Sequence, residues 1–305
     1  MNNNKIGIDL GGTKLLGILV NNNNTIINRK KINVQKNIDI TGMISEIVNL
    51  IYDLSQNSKI RHIGLAVPGP VTQEQGIASI LPAYGLKNIP FKKLLEEKTD
   101  LNVIVGNDVN LATLAEYKLG AGRGVSSLYT FYPGTGIGGG YIANGKLIQG
   151  HNGTAGEVGH MVIDVNGAKC NCGQHGCLET IVSNTGLKRM LKEAIINNTY
   201  SGDLSTDLLS SENILTAWKM NDNEIHKLLK YQAEVLGIAI ANVINITGVE
   251  RIIVGGQIYH LLKDDLLPIV KRIATNYAIG GGMNNVEIKL NQLGSEAPAL
   301  GATLL

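Results

Sequence analysis

"KIGIDLGGTKLLGILV", residues 5 to 20, decides how the rest of the chain is read. Aliphatic residues on either side of "GGT" spell two strands joined by a tight turn. In that turn Gly11 and Gly12 let backbone N–H groups point inward, Thr13 adds a hydroxyl and Lys14 a cation. Such a turn can cradle phosphate oxygens without a helix, although two glycines alone are equally served by an ordinary hairpin. A second stretch changes the balance. "LYTFYPGTGIGGG", residues 128 to 140, is again a strand running into a Gly–Thr turn. It holds the G-x-G-x-x-G spacing of dinucleotide-binding folds, but that fingerprint has to open a helix, and "YIANGKLI" continues as a strand. Gly134, Thr135 and Gly136 therefore read as a second phosphate hairpin. One such turn in each half implies a triphosphate gripped from both sides.

Outward from these turns, the spacing predicts alternating strands and helices. "LLGILV" and "TIINRKKINV" form a hairpin around Asn21 to Asn24. Met43, Ile44, Ile47, Val48, Ile51 and Leu54 recur at helical intervals. "HIGLAVPG" and "LNVIVGND" are buried strands, the second followed by a helix over 109–119. Glycines at 120, 122 and 124 then break the chain, and a domain boundary falls there. A long helix over 224–246 precedes "RIIVGGQ", a strand whose Gly255 and Gly256 allow close approach to a flat nucleobase or ribose. The pattern is two α/β domains facing a cleft.

Bulk properties narrow the function classes. At 305 residues two domains are expected, and a chain that is 44% hydrophobic but only 4% aromatic has to build an aliphatic core. A net charge of +2 on dispersed lysines and arginines gives no basic face for nucleic acid. The start "MNNNKIGIDL" has no apolar leader and no stretch is long enough to span a bilayer, so a cytoplasmic protein without a membrane partner is expected. Three cysteines in a reducing compartment do not make a disulfide framework.

Those cysteines lie within eight positions. Cys170, Cys172 and Cys177 follow C-x-C-x₄-C, with His160 ten positions before the first. Three thiolates and one imidazole are a tetrahedral donor set for structural zinc. The loop is flanked by Gly167, Gly173 and Gly176 and offers little core in which three small hydrophobes could hide. His175 is a competing donor, expected to stay exposed. A closed four-ligand site leaves no open position for substrate, so this metal orders a loop. Earlier in the chain, Asn107 and Asp108 end a strand and begin a helix; Asp108 suits a helix cap and a reactive carboxylate equally well.

"DLGGTK", "AVPGPV", "GNDVNLATLAEYKLGAGRG", "GTGIGGG", "GEVGHM" and "CNCGQHGCLE" fall in an order that resembles the repressor/open-reading-frame/kinase (ROK) family of sugar kinases, across nearly the whole chain. The resemblance implies the actin-like ATPase (ribonuclease H-like) α/β fold: a smaller domain of 1–119 plus 292–305, since "SEAPALGATLL" resembles the family's returning C-terminal helix, and a larger one of 120–291. It makes Asp108 the catalytic base and puts Gly69, Asn107, Glu157, His160 and Glu179 around the sugar. It also implies ATP, with Mg²⁺ held through water near Asp9, and a homodimer. Phosphoryl transfer depends on positioning and charge neutralisation, so an ordinary ionised aspartate suffices as base. The resemblance points to glucokinases, acting on the 6-hydroxyl, with N-acetylmannosamine, N-acetylglucosamine or fructose kinases as alternatives. A sugar-responsive regulator of the same family is disfavoured, because the first strand begins at Lys5 and leaves no room for a DNA-binding domain. Two stretches depart from the glucokinase pattern: "SILPAYGLKNIP" (79–90) lacks the usual asparagine and tryptophan in register, and Tyr132-Pro133 precede the second turn.

Overall fold

The opening hairpin forms as its pattern requires. In a computed structural model describing residues 4–35, 37–55, 58–72, 74–281 and 283–305, β1 (Asn4–Leu10) pairs antiparallel with β2 (Lys14–Val20). β3 (Ile26–Asn33) adds to β2 after a turn in which Asn24 takes φ 57°. α1 (Ile40–Ser55) buries Met43, Ile44, Ile47, Leu50, Ile51 and Leu54, one stripe at three- and four-residue intervals. The Asp39 carboxylate caps it by accepting from the Gly42 N–H at 2.7 Å. β4 (Ile60–Val67) and, after a short antiparallel sheet of β5 (Val71–Thr72), β6 (Ile77–Leu81) and β7 (Leu86–Pro90), and after α2 (Phe91–Thr99), β8 (Asn102–Asn107) complete the order β3-β2-β1-β4-β8. The last three are parallel, so β1, β4 and β8 end on the same edge. α3 (Asp108–Leu119) starts directly from that edge.

The chain divides into two compact units: Met1–Gly124 with Gly140–Gly156 and Gln292–Leu305, and Val125–Gly139 with Glu157–Asn291. The segment 140–156 joins the first unit through bare backbone. Any Cβ at Gly140 would overlap Thr113, and one at Gly153 would lie 2.5 Å from the Val71 carbonyl oxygen. The C-terminal helix Ala297–Ala302 is seated in the same way. Gly7 of β1, Gly64 of β4 and Gly301 of the helix itself leave no room for a side chain against Ala299, Ala302 and Leu111 respectively. Lys5 Nζ donates to the Thr303 carbonyl at 2.8 Å beside it. The core is aliphatic as expected, and of the chain's two phenylalanines Phe91 is fully buried here and Phe131 in the second unit.

In the second sheet, order β11-β10-β9-β12-β13, the chain runs through β9 (Leu128–Pro133), β10 (Ile137–Ala143), β11 (Lys146–Ile148), β12 (Arg251–Val254) and β13 (Glu287–Leu290). "YIANGKLI" is a hairpin rather than one continuing strand: Ala143 pairs with Lys146 across Asn144 and Gly145, both at positive φ. An Asn-Gly pair favours that two-residue turn because both residues tolerate the left-handed conformation. Between β11 and β12 come α4 (Glu179–Val182), α5 (Asn184–Ile196), α6 (Ser211–Lys219) and α7 (Asn223–Thr247). α7 is capped by the Asp222 carboxylate, which accepts from the Glu224 and Ile225 N–H groups, and it ends at Gly248 in the left-handed region. No described helix is long and apolar enough to cross a membrane.

Candidate functional site

In the first unit the candidate residues meet at the carboxyl edge of β1, β4 and β8. Parallel pairing sets Asp9 beside Ala66 and Val67 beside Asn107. Asn107, not Asp108, caps α3: its Oδ1 accepts from the Asn110 N–H at 2.9 Å. Its Nδ2 donates to the Gly69 carbonyl at 3.1 Å, which fixes the Pro-Gly turn after β4. Gly69 has φ 86°, and a Cβ there would lie 2.6 Å from the Ile80 carbonyl oxygen. With capping done by its neighbour, Asp108 occupies the first turn of the helix, where its Oδ1 accepts from the Val109 N–H at 2.8 Å. A carboxylate at a helix start is electrostatically favoured as an anion.

Asp9 is different. Burial, and next the Asp108 charge, push its carboxyl up to about 7, with Lys31 acting in the opposite direction. Two carboxylates placed near each other in a partly dry edge are an environment that a divalent cation relieves, and their hard oxygens fit Mg²⁺.

The Gly11–Lys14 turn sits at the end of β1. Gly11 N–H is used within the hairpin, donating to the Lys14 carbonyl at 2.9 Å, while Thr13 and Lys14 are exposed. The Tyr84 hydroxyl donates to the Gly11 carbonyl at 2.7 Å, and a Cβ at Gly12 would lie 3.2 Å from that of Ala83. The segment 79–90, set apart in the sequence by what it lacks, is therefore the β6–β7 hairpin whose tip braces this turn. Tyr84 was missed; a tyrosine in a turn carries no signal of a partner 73 positions away.

In the second unit, the Gly134–Gly136 turn closes through Gly134 N–H donating to the Gly136 carbonyl at 2.8 Å. Gly255 and Gly256 follow β12, with Gly256 at φ 93°; a Cβ on the first would overlap the Tyr132 ring and one on the second the Pro133 carbonyl. Tyr132 and Pro133 thus form the floor under the double glycine.

The cysteine loop brings its four donors together. His160 Nδ1 is 3.8 Å from Cys170 Sγ, Cys172 Sγ is 3.7 Å from Cys177 Sγ, and the four donor atoms all lie within 4.8 Å of one another. A tetrahedral zinc with bonds of about 2.3 Å sets sulfurs about 3.8 Å apart, so the set fits. His175 is outside it, with Nδ1 3.2 Å from the Gly167 carbonyl. Gly176 cannot carry a Cβ, which would overlap the Asp164 carbonyl, so the loop can turn back only through glycine.

Glu157 begins the short helix Val158–His160, and its carboxyl is held above the ordinary range by partial burial, with His160 opposing and Glu179 reinforcing the shift. The three recognition candidates are thus electrostatic neighbours within one unit. Glu179 Oε2 accepts from the Ile137 N–H at 3.1 Å, and its Oε1 lies 3.7 Å from Cys170 Sγ.

A parallel three-strand edge carrying carboxylates, with a Gly–Thr hairpin at its first strand, is the architecture of the actin-like ATPases, and the chain has that fold. Within that class it belongs to the ROK family, which it matches over residues 5–305. It is 34% identical over 307 residues to a glucokinase of Halalkalibacterium halodurans, covering 97% of this chain and 92% of that one. It is 28% identical to a xylose repressor of Caldicellulosiruptor bescii, over 97% of this chain and 76% of that protein. The structure of a ROK family glucokinase from Streptomyces griseus in complex with glucose and AMPPNP superposes with a TM-score of 0.83 at 27% identity, covering 98% of each chain.

Proposed function

We propose that this protein is an ATP-dependent hexose kinase that phosphorylates the 6-hydroxyl, with glucose as its substrate. The observation that carries the reading is Asp108: a carboxylate opening α3 beside Asp9 and the Gly11–Lys14 turn, in a chain 34% identical to a glucokinase. Asp108 accepts the hydroxyl proton as the γ-phosphoryl group moves to the sugar oxygen. Little basicity is needed, since the transition state is loose and the work lies in alignment and charge neutralisation. Asn107 is held by Gly69 and the helix it caps, so its side chain is oriented before sugar arrives. Glu157, His160 and Glu179 bind vicinal hydroxyls, carboxylates being strong acceptors for that purpose.

The Gly11–Lys14 and Gly134–Gly136 turns hold the phosphates, and Gly255-Gly256 receive the adenosine. Mg²⁺ near Asp9 would neutralise phosphate charge; the raised Asp9 carboxyl fits that role, because burial and the Asp108 charge outweigh the opposing pull of Lys31. Zinc on His160, Cys170, Cys172 and Cys177 is structural. His160 ligates with one ring nitrogen and leaves the other for a sugar hydroxyl.

The test is coupled ADP release with glucose, fructose, mannose, N-acetylglucosamine and N-acetylmannosamine. Glucose should give the highest kcat/KM; a higher value for an N-acetylated sugar reassigns the substrate, and turnover of none removes the kinase reading. The xylose repressor among the relatives favours one other reading, a sugar-responsive regulator. Sugar-dependent retention of operator-length DNA would support it, and the kinase reading expects none.

A further inference from the structure

The Gly134–Gly136 turn is held by the segment that follows the metal-ligand loop. Asn184 N–H donates to the Gly134 carbonyl at 2.8 Å, and Thr185 gives its N–H at 3.3 Å and its hydroxyl at 2.7 Å to the Thr135 carbonyl. All three fix carbonyls. On its N–H side, Gly134 donates within the turn to the Gly136 carbonyl, and Glu179 fixes the far end: its Oε2 accepts from Ile137 N–H at 3.1 Å. The same carboxylate fills the space under Gly136, where any Cβ would overlap Oε2 and approach Cδ to 3.1 Å. Glu179 is itself set by its own helix turn, as Ser183 Oγ donates to the Glu179 carbonyl at 2.6 Å.

An anion beneath a turn assigned to phosphate opposes the ligand's charge. The position therefore makes sense for geometry, not for charge. A charged acceptor on a backbone N–H bonds more strongly than a neutral one and holds one peptide orientation against its alternatives.

We propose that Glu179 is a positioning residue for the nucleotide-phosphate turn, orienting Gly136 and Ile137 through Oε2, in addition to its place in sugar recognition. The inference rests on the kinase reading and deepens it: a side chain that abuts Cys170 also sets the grip on ATP, so the metal-ligand loop serves both substrates.

The experiment is calorimetric titration of AMPPNP, without sugar, into wild type, Glu179→Ala, Glu179→Gln, Gly136→Ala and the double variant Gly136→Ala/Glu179→Ala, with melting temperature and bound metal recorded for each. Glu179→Ala should weaken AMPPNP about tenfold or more, the equivalent of one lost charge-assisted hydrogen bond. Glu179→Gln keeps an acceptor oxygen without the charge and should stay within about threefold of wild type. Gly136→Ala should weaken binding as well. The double variant should bind no worse than Glu179→Ala, because the new methyl enters the space the carboxylate left; such non-additivity is the mark of direct contact.

Wild-type AMPPNP affinity in a folded, metal-replete Glu179→Ala protein overturns the proposal, as do losses that simply add. If Glu179→Ala loses its metal or its fold, the remaining pair decides: weakened Gly136→Ala with retained Glu179→Gln supports the proposal, and wild-type affinity in Gly136→Ala overturns it. A wild-type protein that binds no AMPPNP would remove the kinase reading itself, a separate and recognisable result.

Discussion

The two Gly–Thr turns look alike in sequence and are held in different ways. Gly11–Lys14 projects from a hairpin with Thr13 and Lys14 exposed, and is braced by one tyrosine hydroxyl from the β6–β7 tip. Gly134–Gly136 carries no cation and is tied through Glu179, Asn184 and Thr185 to the chain beyond the metal-ligand loop. The first turn is equipped to deliver charge, the second to keep a shape. The same contrast runs through the rest of each unit. The first keeps two carboxylates near one another at a strand edge. The second gathers three thiols and one imidazole within 4.8 Å of one another.

The largest effect should come from the carboxylate side. Asp108→Asn is expected to lower kcat by about 10²–10⁴-fold while glucose and AMPPNP affinities persist, read by steady-state kinetics and calorimetry. Comparable loss of binding would mean that Asp108 holds ligand instead of accepting a proton. Next is the loop. Cys177→Ser removes a fully buried thiol of the proposed zinc site, and should abolish zinc binding, lower the melting temperature by about 5 °C or more and weaken sugar binding. Full sugar affinity in zinc-free protein would separate the loop from recognition.

A smaller change tests the difference between the turns. Lys14→Ala should raise KM for ATP about tenfold and leave KM for sugar unchanged, with Lys14→Arg recovering most of the loss. An equal rise in both would make Lys14 part of the general fold. The smallest effect is on stability. Because the Asp9 carboxyl titrates higher when folded than when unfolded, its own contribution to stability is fully present below the unfolded value near 3.8 and is lost as pH rises through about 7. Asp9→Asn should therefore stabilise the ligand-free protein above pH 7, by about 1–2 kcal/mol, and flatten its melting temperature between pH 4 and 7. An unchanged pH profile would mean that the carboxyl is not held as the buried edge demands.

Much of this was legible before the structure. Apolar runs and helical periods located β1, β2, α1 and α7 to within a residue or two, since the strands are buried almost throughout and the helices bury residues at three- and four-residue intervals. The cluster of His160, Cys170, Cys172 and Cys177 was legible because ligand chemistry restricts residue type and spacing together. The Asn144-Gly145 hairpin was also written in the sequence and was read through, although two residues that tolerate positive φ are the strongest short signal for it. What the sequence could not show was who touches whom. Tyr84 reaches Gly11, Asn107 caps in place of Asp108, and Glu179 sits under Gly136 because of tertiary geometry, which leaves no periodic trace.

The bare-backbone seat of the helix Ala297–Ala302 has a consequence for biosynthesis. Strands β1 and β4 leave the ribosome well before the helix, so the glycine-paved face they present at Gly7 and Gly64 lacks that cover until Ala297–Ala302 emerge. Residues 125–139 and 157–291 are therefore complete while the earliest-made sheet still waits with one side open. A sheet whose cover is encoded so much later in the chain has to wait for it, and chaperone dependence should concentrate there.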